Sequence, residues 1–285
     1  MAVIIGLGRD GTGIADGFKK YPEYQIYKIG TEVENHPANL TIDHHPNMQS
    51  YEENFDQASA TKYLRGISKT DEVFFILAGD DPICGLTLML LEVIRESNTT
   101  VIYIRPDRRT TSLLQRRDDR IVFGVLQEYA RSGMVSRLMI LEKSRVEDRV
   151  GDVSISDYEK SIHDFISYII AMTNYFDHTD PVLTTRVAQD KLSRVGTYGI
   201  LSIDQDSPTF FADITDEQYV HYYYGIPETS LNEDPGLMRR IRSQTKSLAK
   251  DGVDGCFSVY QTDVPDPLVL AVTYSKKIQS LPPVQ

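Results

Sequence analysis

Six residues near the start of the chain, Gly8-Arg9-Asp10-Gly11-Thr12-Gly13, follow the β-branched run Val3-Ile4-Ile5-Gly6-Leu7 and precede apolar positions Ile14, Ala15 and Phe18. A glycine loop between a strand and a helix offers free backbone N–H groups and the positive end of a helix dipole to a phosphate. No Gly-Lys-Ser/Thr follows, and the spacing of Gly8, Gly11 and Gly13 is not the G-x-G-x-x-G of dinucleotide sites, so neither common phosphate motif is met. A second glycine-flanked loop, Gly79-Asp80-Asp81-Pro82-Ile83-Cys84-Gly85, follows the apolar run Val73–Ala78. Pro82 has no N–H to donate, and Asp80 and Asp81 set negative charge where phosphate oxygens would approach. That repulsion is about a few kcal/mol unless a divalent cation such as magnesium bridges the two. The third group is Asp43-His44-His45, side chains of the types that hold a catalytic transition metal. Asp10 and Asp16 upstream, with Asp80 or Asp81 downstream, would be its carboxylate partners. The blander reading of the two histidines is a polar loop beside a nucleotide pocket.

The other reactive side chains point to less. His163, His178 and His221 are isolated in sequence and read as surface or hydrogen-bonded histidines. Six arginines between Arg105 and Arg120 have Asp107, Asp118 and Asp119 among them, which predicts an ion-pair network or a subunit contact. Tyr219, Tyr222, Tyr223 and Tyr224 flank His221, as core packing or as an interface. Cys84 and Cys256 are too few for a disulfide framework or a four-sulfur metal site, so a reducing, cytoplasmic setting is expected.

These residues need a frame to hold them. The chain has 285 residues, 41% hydrophobic and 25% charged, enough apolar mass for a substantial core. Its formal net charge of −11 argues against general nucleic-acid binding. No basic leader precedes an apolar stretch, and no apolar run nears the roughly 18 residues of a membrane helix, so neither secretion nor membrane insertion is expected. Short β-branched runs at 3–8, 25–29, 40–42, 73–78, 101–104 and 138–141 alternate with helical spacing at 59–67, 86–95 and 121–132. That alternation predicts an α/β fold, a parallel sheet with helices on both faces. The apolar spacing from Ile155 to Thr173 predicts one long central helix over 154–176, stopped at Asp177–Pro181. Beyond it a smaller α+β second domain is expected, with a basic helix over 233–250 and strands at 257–261 and 268–274. The expected division is residues 1–153, 154–180 and 181–285.

The order of these features resembles the tubulin/FtsZ superfamily over residues 1–200. The first glycine loop stands where that family wraps its nucleotide. Val73–Gly79, Gly85, the helix from Leu86 and the strand Val101–Ile104 follow the family's strand, signature loop, helix and strand. The resemblance implies GTP as ligand with magnesium, cradled by Gly8, Arg9, Asp10, Gly11, Thr12 and Gly13 and framed by Gly79, Asp80, Asp81 and Gly85. It also implies head-to-tail self-assembly into a filament, as a cytoskeletal protein of the cytoplasm, or of a host's cytoplasm if the source is a phage or virus, with a protein adaptor as a further partner. Only the outer glycines of the family's G-G-G-T-G-[ST]-G loop remain in this chain. Aligning Leu192–Gly196 with the family's helix after its catalytic loop places Val182, Thr184 and Val187 where its Asn and acidic residues stand, with Asp180 and Asp190 nearby. The Asn that contacts the base is absent from Glu142-Lys143-Ser144-Arg145. The expected function is therefore a tubulin/FtsZ-like self-assembling protein whose GTP hydrolysis is weak or lost. One alternative is a nucleotide-independent assembly protein of the same fold. The other is a metal-dependent phosphoesterase, because Asp43-His44-His45 resembles the motif of the DHH phosphoesterases.

Overall fold

Runs of Val, Ile, Phe and Leu that alternate with short polar breaks are the fully buried strands of a computed structural model, which describes residues 1–34, 36–185 and 192–279. The chain divides into two compact units, Met1–Tyr168 and Ile169–Gln279.

In the first unit, β1 (Ala2–Leu7), β2 (Tyr24–Gly30), β3 (Asn39–Thr41), β4 (Glu72–Ala78), β5 (Asn98–Arg105) and β6 (Arg137–Glu142) lie in the order β3-β2-β1-β4-β5-β6. Every adjacent pair among them is parallel. The registers Ile4↔Phe74, Phe75↔Val101 and Ile102↔Met139 keep the apolar runs side by side, and Ile4, Phe75 and Ile102 are completely buried. The helices of this unit are α1 (Gly8–Asp16), α2 (Met48–Glu53), α3 (Gln57–Leu64), α4 (Thr87–Val93), α5 (Leu113–Ser132), α6 (Lys143–Val150) and the first half of α7 (Tyr158–Asp177). The chain winds outward from β1 to β3, then returns to β4 and winds the other way. For a sheet of this order, crossovers of the usual right hand place helices on both faces and leave a crevice at the carboxyl ends of β1 and β4, where the winding reverses.

Several helix boundaries depart from the sequence reading. The helix over α5 begins eight residues before Ile121. Ser112 and Gln115 form a capping box, the Gln115 N–H donating to Ser112 Oγ at 3.2 Å and the Ser112 N–H to Gln115 Oε1 at 3.0 Å. The first two turns, Leu-Leu-Gln-Arg-Arg-Asp-Asp-Arg, carry too little apolar periodicity to announce a helix. The arginine-rich stretch around this start is an ion-pair network, with Arg105 against Asp119 and Glu142, Arg109 against Asp107 and Arg117 against Asp118. The long helix starts at Tyr158, not Ser154, and Ile155 is exposed.

The second unit contains β7 (Leu183–Thr184), β8 (Val195–Leu201), β9 (Thr209–Phe210), β10 (Tyr219–Pro227), α8 (Glu228–Glu233), α9 (Leu237–Ser247), β11 (Asp254–Thr262) and β12 (Leu268–Ser275). Its strands run in the order β8-β12-β10-β11-β7, with β9 against β8. β10 and β11 are parallel, and the other pairs are antiparallel. Two expectations are corrected here. The helix expected over 233–250 is shorter, α9 at Leu237–Ser247, because Asp234-Pro235-Gly236 separates it from α8 and Asp234 accepts the Gly236 N–H at 2.9 Å. Leu192–Gly196 does not enter a helix, since Val195 opens β8. The tyrosine group is core: Tyr222 and Tyr224 pack with Val220, Ile226 and Ile241, and Tyr224 donates to Gln244 Oε1 at 2.9 Å.

Candidate functional site

The crevice at the reversal point is built from the residues that leave β1, β4 and β6. The glycine loop expected between β1 and the first helix is absent as a loop. α1 begins at Gly8 itself, and Gly8 has φ +72°, the left-handed region that glycine adopts without strain. Gly11 and Gly13 lie inside the helix, against the Ile76 carbonyl and the His163 ring. Gly79 lies against the Tyr103 hydroxyl and Gly85 against Met48. The close approaches these four glycines permit are to the protein's own atoms.

Helix α1 still presents the free N–H groups of a helix start, but the anion that meets them belongs to the chain. The Arg9 N–H donates to Asp81 Oδ2 at 3.0 Å, and the Ile83 N–H donates to Asp81 Oδ1 at 3.1 Å. One carboxylate thus caps α1 and also caps the short 3-10 turn Pro82–Leu86 that leads into α4. Pro82 at the first position of that turn has no N–H to leave unpaired.

Behind this cap lies a buried charge cluster. Asp10 accepts from Lys143 Nζ at 3.0 Å and is 3.0 Å from His163 Nε2. Burial raises the Asp10 pKa, but the hydrogen bond from His163 and the adjacent Lys143 ammonium together outweigh it and bring it down to about 2. Burial lowers the Lys143 pKa, yet Asp10 outweighs it and holds the ammonium above its ordinary range. Asp80 shifts the other way: burial first, then the Asp10 carboxylate, push it up. Arg9 reaches Glu159 on α7 at 2.8 Å, and the Tyr158 hydroxyl donates to Glu147. Together Asp10, Lys143, His163, Arg9 and Glu159 tie the start of α1 to α6 and α7.

Two recesses open beside the cap. A cavity of about 340 Å³ includes Arg9, Glu32, His44, His45, Tyr51 and Asp81 in its wall. A recess of about 200 Å³ includes Asp10, Asp80, Asp81 and Glu159 against Arg9 and Lys143, four carboxyl groups and two cations. GTP bound as the resemblance implies needs unpaired N–H groups and a positive field at its phosphates. Here the N–H groups of Arg9 and Ile83 are taken, the Lys143 charge is neutralised by Asp10, and Asp80 and Asp81 flank the seat. The residues present do not fit a triphosphate held in that manner.

The metal-dependent alternative finds no support among the described residues. Among the described residues no three His, Cys, Asp or Glu side chains are grouped to hold a metal ion. Asp16 pairs with Lys19 and Lys28, while Asp43 and His44 are exposed. Of the residues aligned with a catalytic loop, Thr184 lies in β7 and Val182 just before it, whereas Val187 and Asp190 lie outside the described residues.

Lys143, His163 and Glu159 were not singled out as site residues by sequence. Lys143 had one signal, its place immediately after β6 at a carboxyl end of the parallel sheet. Asp81→Ala removes a cap shared by two helical starts. It is expected to cost about 1–2 kcal/mol by urea denaturation. It should also let GTP raise the variant's Tm where it leaves the parent's unchanged.

No protein-family model matches the chain, and no curated protein does. Solved structures do. A four-stranded TubZ-Bt filament model superposes with a TM-score of 0.71 at 14% identity, over 96% of this chain and 85% of that one. FtsZ of M. jannaschii, as a W319Y mutant, gives 0.69 at 10% identity, over 97% and 91%. CetZ from Methanosaeta thermophila gives 0.67 at 13% identity, over 97% and 86%. The chain therefore has the fold of these proteins, an α/β architecture of tubulin/FtsZ type, with little of their sequence.

Proposed function

We propose that this tubulin/FtsZ-like chain is a self-assembling protein whose copies join head to tail without guanine nucleotide. The fold supports assembly, because TubZ, whose structures include filaments, shares it over almost the whole chain. One observation carries the nucleotide-independent part: the Asp81 carboxylate takes the Arg9 backbone N–H at the start of α1, where the resemblance would seat a phosphate. A phosphate brought within about 4 Å of that carboxylate meets a repulsion of about 4 kcal/mol at the effective dielectric of a protein surface. The Asp10, Lys143 and His163 cluster supplies from within the chain the link between α1, α6 and α7 that a bound ligand could otherwise make. Head-to-tail contacts between unlike surfaces give filaments when the rotation does not close a ring. No helix of the described residues is long and apolar enough to cross a membrane.

The test is sedimentation of the purified protein with magnesium and GTP, GDP, a slowly hydrolysed GTP analogue or no nucleotide, followed by electron microscopy of the pellets. Equal pelleting in all four conditions, with phosphate release at background, is expected. Pelleting only with GTP or its analogue would sink the proposal and restore a nucleotide-responsive polymer.

A further inference from the structure

Head-to-tail assembly, on which this inference rests, needs two different surfaces on each copy that complement one another. The chain has two stretches of nearly unmixed charge, one in each unit. Between Lys28 and Lys62 there is no lysine or arginine, while Glu32, Glu34, Asp43, Glu52, Glu53 and Asp56 all fall there. This stretch runs on from β2 and contains β3 and α2, and Glu32 lines the 340 Å³ cavity. Glu34, Asp43, Glu52 and Glu53 are exposed. Within the segment Asp56 is used as the cap of α3 and Glu53 accepts from Gln49. Among the described residues no lysine or arginine forms an ion pair with Glu34, Asp43, Glu52 or Glu53, although the Lys19 ammonium feels the Glu34 charge.

The opposite charge stands on α9. Leu237, Ile241 and Gln244 face inward, the last donating to the Ser202 and Gln205 carbonyls at 2.7 Å. That orientation turns Arg239, Arg242 and Lys246, spaced three and four apart, onto one exposed face. Arg240 and Lys250 are neutralised by Asp234 and Glu217, but no carboxylate pairs with Arg239, Arg242 or Lys246 among the described residues. The arginines at 105–120 offer no equivalent field, since acidic residues are interleaved with them and pair with several.

We propose that the Arg239, Arg242 and Lys246 face of α9 on one copy docks against the acidic residues Glu34, Asp43, Glu52 and Glu53 of the next copy. Complementary patches of this kind steer encounter and fix orientation more than they add contact area, so the contact weakens as salt rises. A second copy fits better than a nucleic acid. The chain carries −11 overall, and three cations on one helix are a small counterweight to a polyanion.

The experiment uses two full-length variants, one with Arg239→Glu, Arg242→Glu and Lys246→Glu, the other with Glu34→Lys, Asp43→Lys, Glu52→Lys and Glu53→Lys. Each alone is expected to need about tenfold more protein than the parent to pellet. An equimolar mixture should pellet like the parent, because each variant then supplies the patch that the other lacks. If far-UV circular dichroism shows either variant unfolded, the single changes Arg242→Glu and Glu52→Lys replace them in the same mixing test. Parental pelleting by each variant alone, no gain on mixing, or saturable binding of α9 to an oligonucleotide with assembly unchanged would overturn the docking. The two proposals fail differently. A parent that never pellets removes assembly and the docking with it, whereas a parent that pellets with variants indifferent to charge removes only the docking.

Discussion

Asp10→Ala is expected to destabilise the protein by about 3 kcal/mol, the cost of leaving a partly buried cation without its partner. Lys143 is 22% exposed at its side chain and Asp10 11%, so the ammonium left behind cannot be fully rehydrated where it stands. His163 loses the same carboxylate, and its ring is also largely buried. Asp10→Ala combined with Lys143→Met should recover most of the loss, since an apolar side chain in place of the cation leaves no unpaired charge. The measurement is urea denaturation followed by far-UV circular dichroism, because the chain has no tryptophan to report by fluorescence.

The pH dependence of the same cluster has a definite sign. The Asp10 pKa falls from 3.8 to about 2 on folding, so the folded state favours the carboxylate. That contributes about 2 kcal/mol, fully present above pH 3.8 and lost as the pH falls through about 2. Lys143 is shifted upward, so its contribution is present below 10.5 and is lost as the pH rises through its folded value. The stability difference between the parent and Asp10→Asn should therefore shrink steadily from pH 5 to pH 2. A difference that holds constant across that window would mean that the carboxylate charge is not what stabilises the cluster.

Gly6→Ala is the second large effect, expected to cost about 3 kcal/mol or more. A Cβ on Gly6 would overlap the Gly11 carbonyl and come within 2.9 Å of the Thr12 backbone nitrogen. Both obstacles are backbone, so no side-chain rotation relieves them. The only relief is for α1 to move away from β1, and the Arg9–Asp81 and Asp10–Lys143 contacts would move with it. Gly124→Ala is the matched control. It lies in the exposed middle of α5 with nothing within 4 Å of the added atom, and alanine there should stabilise by about 0.5–1 kcal/mol. A Tm for Gly6→Ala close to that of the parent would show that α1 is not seated as tightly on β1 as the glycine contact requires.

What the sequence determined by itself is local in origin. Val3–Leu7, Val73–Ala78, Val101–Ile104 and Leu138–Leu141 are strands because β-branched and aromatic runs of that length, closed by polar or glycine breaks, can be buried on both sheet faces. Their alternation with helical spacing was enough to reach the α/β fold and its resemblance to the tubulin/FtsZ type. In the second unit the signal was weaker. β8 (Val-Gly-Thr-Tyr-Gly-Ile-Leu) contains two glycines, and β10 (Tyr-Val-His-Tyr-Tyr-Tyr-Gly-Ile-Pro) lacks a clear apolar alternation, so neither declared itself as a strand. The two aspartates of the second glycine loop were readable as hostile to phosphate. Their roles were not, because a side chain's partner depends on which strands become neighbours. Asp81 meets Arg9 across 72 residues, and Asp10 meets Lys143 across 133 and His163 across 153. Chain spacing carries no information over such separations. Only the sheet order turned an isolated histidine, a lysine after a strand and two acidic residues into a cap on α1 with a hydrogen-bonded charge cluster behind it.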